Sequence, residues 1–190
     1  MVESKSKTVM RISYNAPVTL TFTLLCLAAT VIGMVSRDTM NALFSVQSHM
    51  NMMNPISWLR LISHPIGHAG WEHVTGNLLF VLLLGPVLEE KYGSKRLLTM
   101  MLITALVTSV AVIFVFKINL VGASGIVFML ILLSSLVNFK SGQIPLTFVL
   151  VAILFFGREV VSALKPDHVS QAAHIIGGVC GSLFGFSKKL

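Results

Sequence analysis

The sequence predicts an all-α membrane protein, a bundle of six transmembrane helices. Three observations carry this. Of 190 residues, 55% are hydrophobic and 11% charged, with a mean hydropathy of +0.86, whereas a soluble domain carries about a quarter charged residues. The apolar residues fall into blocks of about 15 to 20, the length that roughly 30 Å of hydrocarbon asks of a helix. The basic residues gather at block ends. With the N-terminus inside, Lys5, Lys7, Arg11, Lys91, Lys95, Arg96, Lys140, Lys188 and Lys189 are cytoplasmic, leaving Arg37, Arg60, Lys117, Arg158 and Lys165 outside. Nine against five places both termini in the cytoplasm. The net charge of +7 is therefore topological; no basic stripe with interleaved aromatics points to nucleic acid.

Residues 1–16 are a polar, basic lead-in on the cytoplasmic side. The first span runs over about 17–35, with Pro17 in the first turn, where a helix tolerates it. It follows a basic stretch as a signal peptide would, but is too long and has no A-x-A site before Arg37, so it is expected to be retained. Residues 36–70 are too long for a structureless loop and too broken by Asn, His, Pro and Arg to span. Met40, Leu43, Phe44, Met50, Met52, Met53, Ile56 and Trp58 predict short helices lying at the outer interface.

The second span covers about 72–88 and ends at Glu89-Glu90-Lys91; a tight inner turn at Tyr92-Gly93-Ser94 leads to the third, about 97–116. After an outer turn at Lys117-Ile118-Asn119 comes the fourth, about 122–137, short enough to start below the membrane surface. Residues 138–143 turn inside, the fifth span covers about 144–163, Lys165-Pro166-Asp167 breaks the chain outside, and the sixth covers about 170–186 before a tail at 187–190. Cys26 and Cys180 lie within spans, as small apolar packing groups. No period of 20 to 50 residues repeats, against a transporter built of inverted repeats.

Depth singles out the chemistry. Ser124 lies sixteen residues before Lys140, His174 fourteen before Lys188, and His73 and Asn77 sixteen and twelve before Glu89. At the helical rise these are heights of roughly 18 to 24 Å. An ionisable group at that depth marks function. A serine in an apolar helix usually bonds its own helix, but Ser124 stands in Gly122-Ala123-Ser124-Gly125. Gly122 and Gly125 admit a close backbone, and the N–H groups of a helix start suit a developing oxyanion.

Ala173, Gly177, Gly181 and Gly185 recur every four residues around His174 and bare one face of the sixth helix, so it can meet another helix backbone to backbone. Against the fourth helix, that brings His174 beside Ser124 as general base. Glu3, Asp38, Glu72, Glu89, Glu90, Glu159 and Asp167 all lie near span ends, in an outer loop or in the lead-in, so a Ser-His dyad is expected. Phe128, one turn below Ser124, is placed to stack on the imidazole. His73 and Asn77, at i and i+4, share a face and with the Ser124 backbone would complete an oxyanion hole. His64, His68 and His73 could instead bind zinc, but Pro65 and Gly67 interrupt them and no cysteine or carboxylate pair assists. No metal and no cofactor is assigned.

Three motifs, in order, resemble those of the rhomboid intramembrane serine proteases over roughly residues 55 to 185: His68 to Asn77 (H-x-x-x-x-H-x-x-x-N), Gly122-Ala123-Ser124-Gly125 (G-x-S-G) and Ala173 to Gly181 (A-H-x-x-G-x-x-x-G). The resemblance implies a compact six-transmembrane bacterial form, with Ser124 as nucleophile, His174 as base, and His73, Asn77 and the Ser124 backbone holding the oxyanion. It makes Glu89 with Tyr92-Gly93 a structural helix-end motif and 36–70 a membrane-embedded first loop. It further implies transmembrane protein substrates cut near the outer leaflet, entering by lateral movement of the fifth helix and the cap after Ala163; because a regular helix hides its carbonyls, small or helix-breaking residues are expected near the cut. The chain departs from the pattern in Trp58-Leu59-Arg60, where the family has adjacent Trp-Arg, in Phe128, where tyrosine is frequent, and in having no seventh span. Membrane lipid is the surrounding partner, nucleic acid is not one, and a bacterial inner membrane is the expected location. The competing readings are an inactive relative that binds transmembrane segments and a histidine-lined metal transporter.

Overall fold

The computed structural model describes residues 12–51, 53–137, 143–163 and 171–187, with 158–163 as backbone alone. Residues 138–142 of the turn expected at 138–143, the break at Lys165-Pro166-Asp167, residues 1–11 and residues 188–190 lie outside the described residues.

The described chain is helical: α1 (Pro17–Val35), α2 (Arg37–Phe44), α3 (Pro55–Ser63), α4 (Trp71–Tyr92), α5 (Ser94–Ala111) running into a π-helical turn (Val112–Phe116), α6 (Ser124–Ser135), α7 (Leu146–Ala163) and α8 (Gln171–Phe186). By length and composition α1, α4 and α5 with its π turn can cross a membrane, while the other apolar stretches, Ser124–Ser135, Leu146–Gly157 and Gln171–Phe186, are shorter. At 12 residues, α6 is only about 18 Å long, which is why its first residue can sit at depth.

The expected second span stops at Leu88, yet α4 continues through Glu89-Glu90-Lys91 to Tyr92. Glu89 does not turn to water: it is 4% exposed. Its carboxylate accepts from the Val18 and Thr19 N–H groups (both 2.9 Å), the Thr19 hydroxyl (2.8 Å) and the Ser94 hydroxyl (2.7 Å). Ala16 offers α1 no side-chain cap, so a carboxylate 70 residues away satisfies the orphan N–H groups of its first turn. Gly93, at φ +83°, ends α4 and starts α5 in a single residue; this is the left-handed region glycine alone enters freely. Glu89→Ala leaves two backbone donors and two hydroxyls without their acceptor. At about 1–3 kcal/mol per buried orphan, thermal unfolding in detergent should reveal a marked loss, which Glu89→Gln only partly restores.

Beyond α1 the first loop folds as amphipathic helices. Ile56, Trp58, Leu59 and Ile62 of α3 are exposed, as an interfacial helix requires. The loop holds itself by polar bonds to backbone: Arg60 donates to the Ala42 carbonyl (2.7 Å), the Ser63 hydroxyl to Leu43 (2.9 Å) and Arg37 to Ala69 (2.6 Å). It also clamps the segment leading to α6. Val46 and Leu120 exchange both backbone hydrogen bonds at 2.9 Å, and Ser48 N–H donates to the Asn119 side-chain oxygen.

The core lies where α4, α5, α6 and α8 meet, around Leu88, Leu97, Met100, Met129, Leu130 and Leu133, with Cys26 of α1 and Cys180 of α8 buried in it as free thiols. The α6–α8 contact is the closest. A Cβ built on Gly177 would fall on the Gly125 carbonyl oxygen, one on Gly181 on the Met129 carbonyl oxygen, and one on Gly185 within 2.5 Å of the Leu136 side chain. The small-residue face of α8 thus lies directly on the backbone of α6.

Candidate functional site

The approach to α6 is held from the first loop. Gly122 N–H donates to the His64 carbonyl (3.0 Å). Its φ of +118° suits glycine, and a Cβ there would come within 2.6 Å of His73 Cε1. The next N–H, of Ala123, donates to His68 Nε2 at 3.4 Å. Ser124 then opens α6, whose intrahelical ladder begins with Val127 N–H on the Ala123 carbonyl. The N–H groups of Ser124, Gly125 and Ile126 consequently have no acceptor within the helix.

On the facing helix, the contact of Gly125 with Ala173 (3.3 Å from a built Cβ to the Ala173 oxygen) sets the register. His174 follows immediately, half-buried. Its ring lies 4.2 Å from that of Phe128 at 42°, and Phe128 rests in turn on Phe155 of α7 at 4.4 Å. An oblique aromatic contact of this kind holds a ring by shape rather than by a hydroxyl. Ser124, His174, His73, Asn77 and Phe128 line one cavity of about 420 Å³ between α4, α6 and α8, with Glu72 also among its lining residues. The side chains expected to act together are brought together; Gly122, Gly125, Gly177 and Gly181 stand behind them as the close-approach positions.

In one dimension His68 belongs only to a motif and to a zinc alternative. In the structure, Asn77 Nδ2 donates to His68 Nε2 (3.1 Å), and His68 Nδ1 faces the Ile66 carbonyl (3.2 Å). With Nε2 accepting from Asn77 and Ala123, the proton belongs on Nδ1, donated to Ile66. His68 thereby orients the Asn77 amide and the backbone one residue before Ser124. Its i−9 spacing to Asn77 carries no hydrogen-bond signal in one dimension. The three histidines are engaged separately: His64 Nδ1 on the Ser109 hydroxyl (3.1 Å), His68 on Asn77, and His73 edge-on to His68 (5.0 Å) and against Gly122.

Burial pulls both loop imidazoles down, His64 to about 4 and His68 to about 4, the charge of His73 adding to the effect at His68. Both are neutral when folded but take up a proton near pH 6.5 when unfolded. Their stabilising share is complete above about pH 6.5 and lost as pH falls toward 4. The thermal midpoint in detergent should fall over that window, and less steeply in His68→Gln; identical slopes for the two proteins would refute neutral burial of His68.

Residues 55–188, well over half the chain, match the family described as Rhomboid domain. Rhomboid-related protein 2 of Mus musculus is 36% identical over 143 residues, covering 67% of this chain and 47% of that protein. Rhomboid-like protein 11, chloroplastic, of Arabidopsis thaliana is 29% identical, with 68% and 44% covered. Rhomboid protease GlpG of Haemophilus influenzae is 25% identical, with 67% and 68% covered. The chain thus spans under half the length of the first two relatives.

Proposed function

The chain belongs to the rhomboid family, and from that premise we propose that it is an intramembrane serine endopeptidase cutting transmembrane segments near the outer leaflet. The observation that carries this reading is the shared cavity of Ser124, His174, His73 and Asn77. In this reading α1, α4, α5, α6, α7 and α8 are six spans of a compact bacterial form in the inner membrane, both termini are cytoplasmic, 36–70 is the interfacial first loop, and 1–16 and 187–190 are cytoplasmic ends.

Ser124 Oγ attacks the scissile carbonyl while the His174 imidazole takes its proton. The oxyanion is met by the Ser124 N–H and by His73 and Asn77, donors held in place before the charge develops. As the tetrahedral adduct collapses, His174 returns the proton to the leaving amine and an acyl-Ser124 ester remains. Water, deprotonated by His174, then releases the new carboxyl end.

A regular helix hides its carbonyls from Ser124, so the cut falls at small or helix-breaking residues. A second cavity, about 530 Å³, lies between α4, α6 and α7, lined by Leu83, Ser134, Pro145, Thr147 and Val151 and sharing Phe80 and Ile131 with the first. The wall it shares with the first cavity supports lateral entry beside α7. Cross-linking α4 to α7 is expected to stop cleavage of a membrane substrate while leaving Ser124 reactive.

The test is labelling of the detergent-purified protein by a fluorophosphonate, which requires an activated serine. Wild type is expected to label, and Ser124→Ala not to. Transmembrane-segment binding by a folded wild type that never labels would replace the peptidase reading with that of an inactive relative.

A further inference from the structure

One lining residue of the catalytic cavity has no part in the chemistry above. Glu72 stands in the first turn of α4, one residue before His73, exposed at the rim. It is the only Asp, Glu, Lys or Arg among the described residues that line the cavity. The first-loop arginines are committed elsewhere, Arg37 to the Ala69 carbonyl and Arg60 to the Ala42 carbonyl. The remaining walls are apolar (Phe80, Val127, Phe128, Ile131) or carry the hydroxyl, amide and imidazole groups already assigned.

Resting on the peptidase reading, we propose that Glu72 selects substrates bearing a lysine or arginine just outward of the cut. A peptide held between His73 and Asn77 on one side and Ser124 and His174 on the other must pass its outward flank over the first turn of α4. Among the described residues that line the cavity, the carboxylate is the one formal charge it meets there. Its inward flank meets Phe80 and Ile131 and continues along the apolar second cavity, where a charge would be costly. A cationic side chain is flexible enough to come within about 6 Å of the carboxylate, where partial screening leaves an attraction worth roughly tenfold in rate constant. An acidic residue in its place is repelled to a similar degree. Because cations are under-represented on the outer side of membrane proteins, this preference separates substrates sharply. A first-turn glutamate also favours its own helix dipole, but that role predicts a change in stability and none in substrate choice.

The experiment uses the full chain in lipid vesicles and a cleavable single-span peptide whose cut has been mapped by mass spectrometry. Lysine, glutamine or glutamate is placed in turn at each of the four positions outward of the cut. For wild type, kcat/KM is expected to reach about tenfold for lysine over glutamine, and therefore about 100-fold for lysine over glutamate, at one position. In Glu72→Gln the ratio should approach one, and in Glu72→Lys it should invert. Each ratio is taken within one variant, so a partial folding defect cancels. A ratio unchanged between wild type and Glu72→Lys overturns the inference while cleavage leaves the peptidase reading standing. Absence of both cleavage and fluorophosphonate labelling overturns the two together.

Discussion

Gly177→Ala is expected to unseat α8 from α6 and, with it, His174 from Ser124. The new methyl would fall on the Gly125 carbonyl oxygen, a backbone atom that no rotamer change can move. Either the helices separate or both shift along their contact. Overpacking of this kind costs about 1–3 kcal/mol and more where backbone is struck. Displacing a catalytic group by about 1 Å can cost 100-fold in rate, so activity should fall further than stability does. Gly157→Ala is the matched control: its Cβ meets nothing within 4 Å, so helix propensity alone predicts a gain of up to about 1 kcal/mol. Thermal midpoints and fluorophosphonate labelling of the two variants test the pair. Equal behaviour would mean that the α6–α8 contact is looser than its backbone spacing implies.

Ser124→Ala and His174→Ala are each expected to reduce cleavage by about 10⁴-fold or more, and the double variant by no more than the worse single one. In the proposed mechanism nucleophile and base act as one unit: without His174 the hydroxyl keeps its proton, and without Ser124 the imidazole has nothing to activate. Ser124 is only half-buried at the cavity wall, so its alanine variant should keep the wild-type thermal midpoint. Phe128→Leu, which removes the ring 4.2 Å from the imidazole, should lower cleavage by about tenfold, in line with a positioning contact worth 0.5–1.5 kcal/mol. Full activity in His174→Ala would eliminate the dyad. Multiplying effects in the double variant would instead mean that the two residues act independently.

Much of this was legible in one dimension. The first span was bounded at 17–35 and is α1 at Pro17–Val35, because hydropathy is a local property and proline marks a helix start. The short helices of 36–70 were expected from their mixture of methionine, tryptophan and polar residues. The four-residue recurrence Ala173, Gly177, Gly181, Gly185 announced a bare helix face, since a 3.6-residue period maps sequence spacing directly onto one surface. Helical rise alone predicts a common height for Ser124, His174, His73 and Asn77, and these four residues line one cavity. α4 runs past the Leu88 end that its charges predict, because a glutamate near a span terminus ordinarily turns to water, whereas Glu89 is buried on the first turn of α1.

The sequence by itself determined that the chain is a membrane protein, that its first long apolar helix covers 17–35, and which polar residues come to line one cavity. These are consequences of composition and of a fixed rise per residue. Only the tertiary structure decided that Glu89 caps α1 from 70 residues away, that Val46 pairs with Leu120 to clamp the approach to Ser124, and that His68 holds Asn77 and the Ala123 N–H. Each is a hydrogen bond between groups whose own segments leave them unsatisfied. A donor's lack of a local partner is readable in sequence, but the identity of the distant group that supplies one is set only when the helices pack.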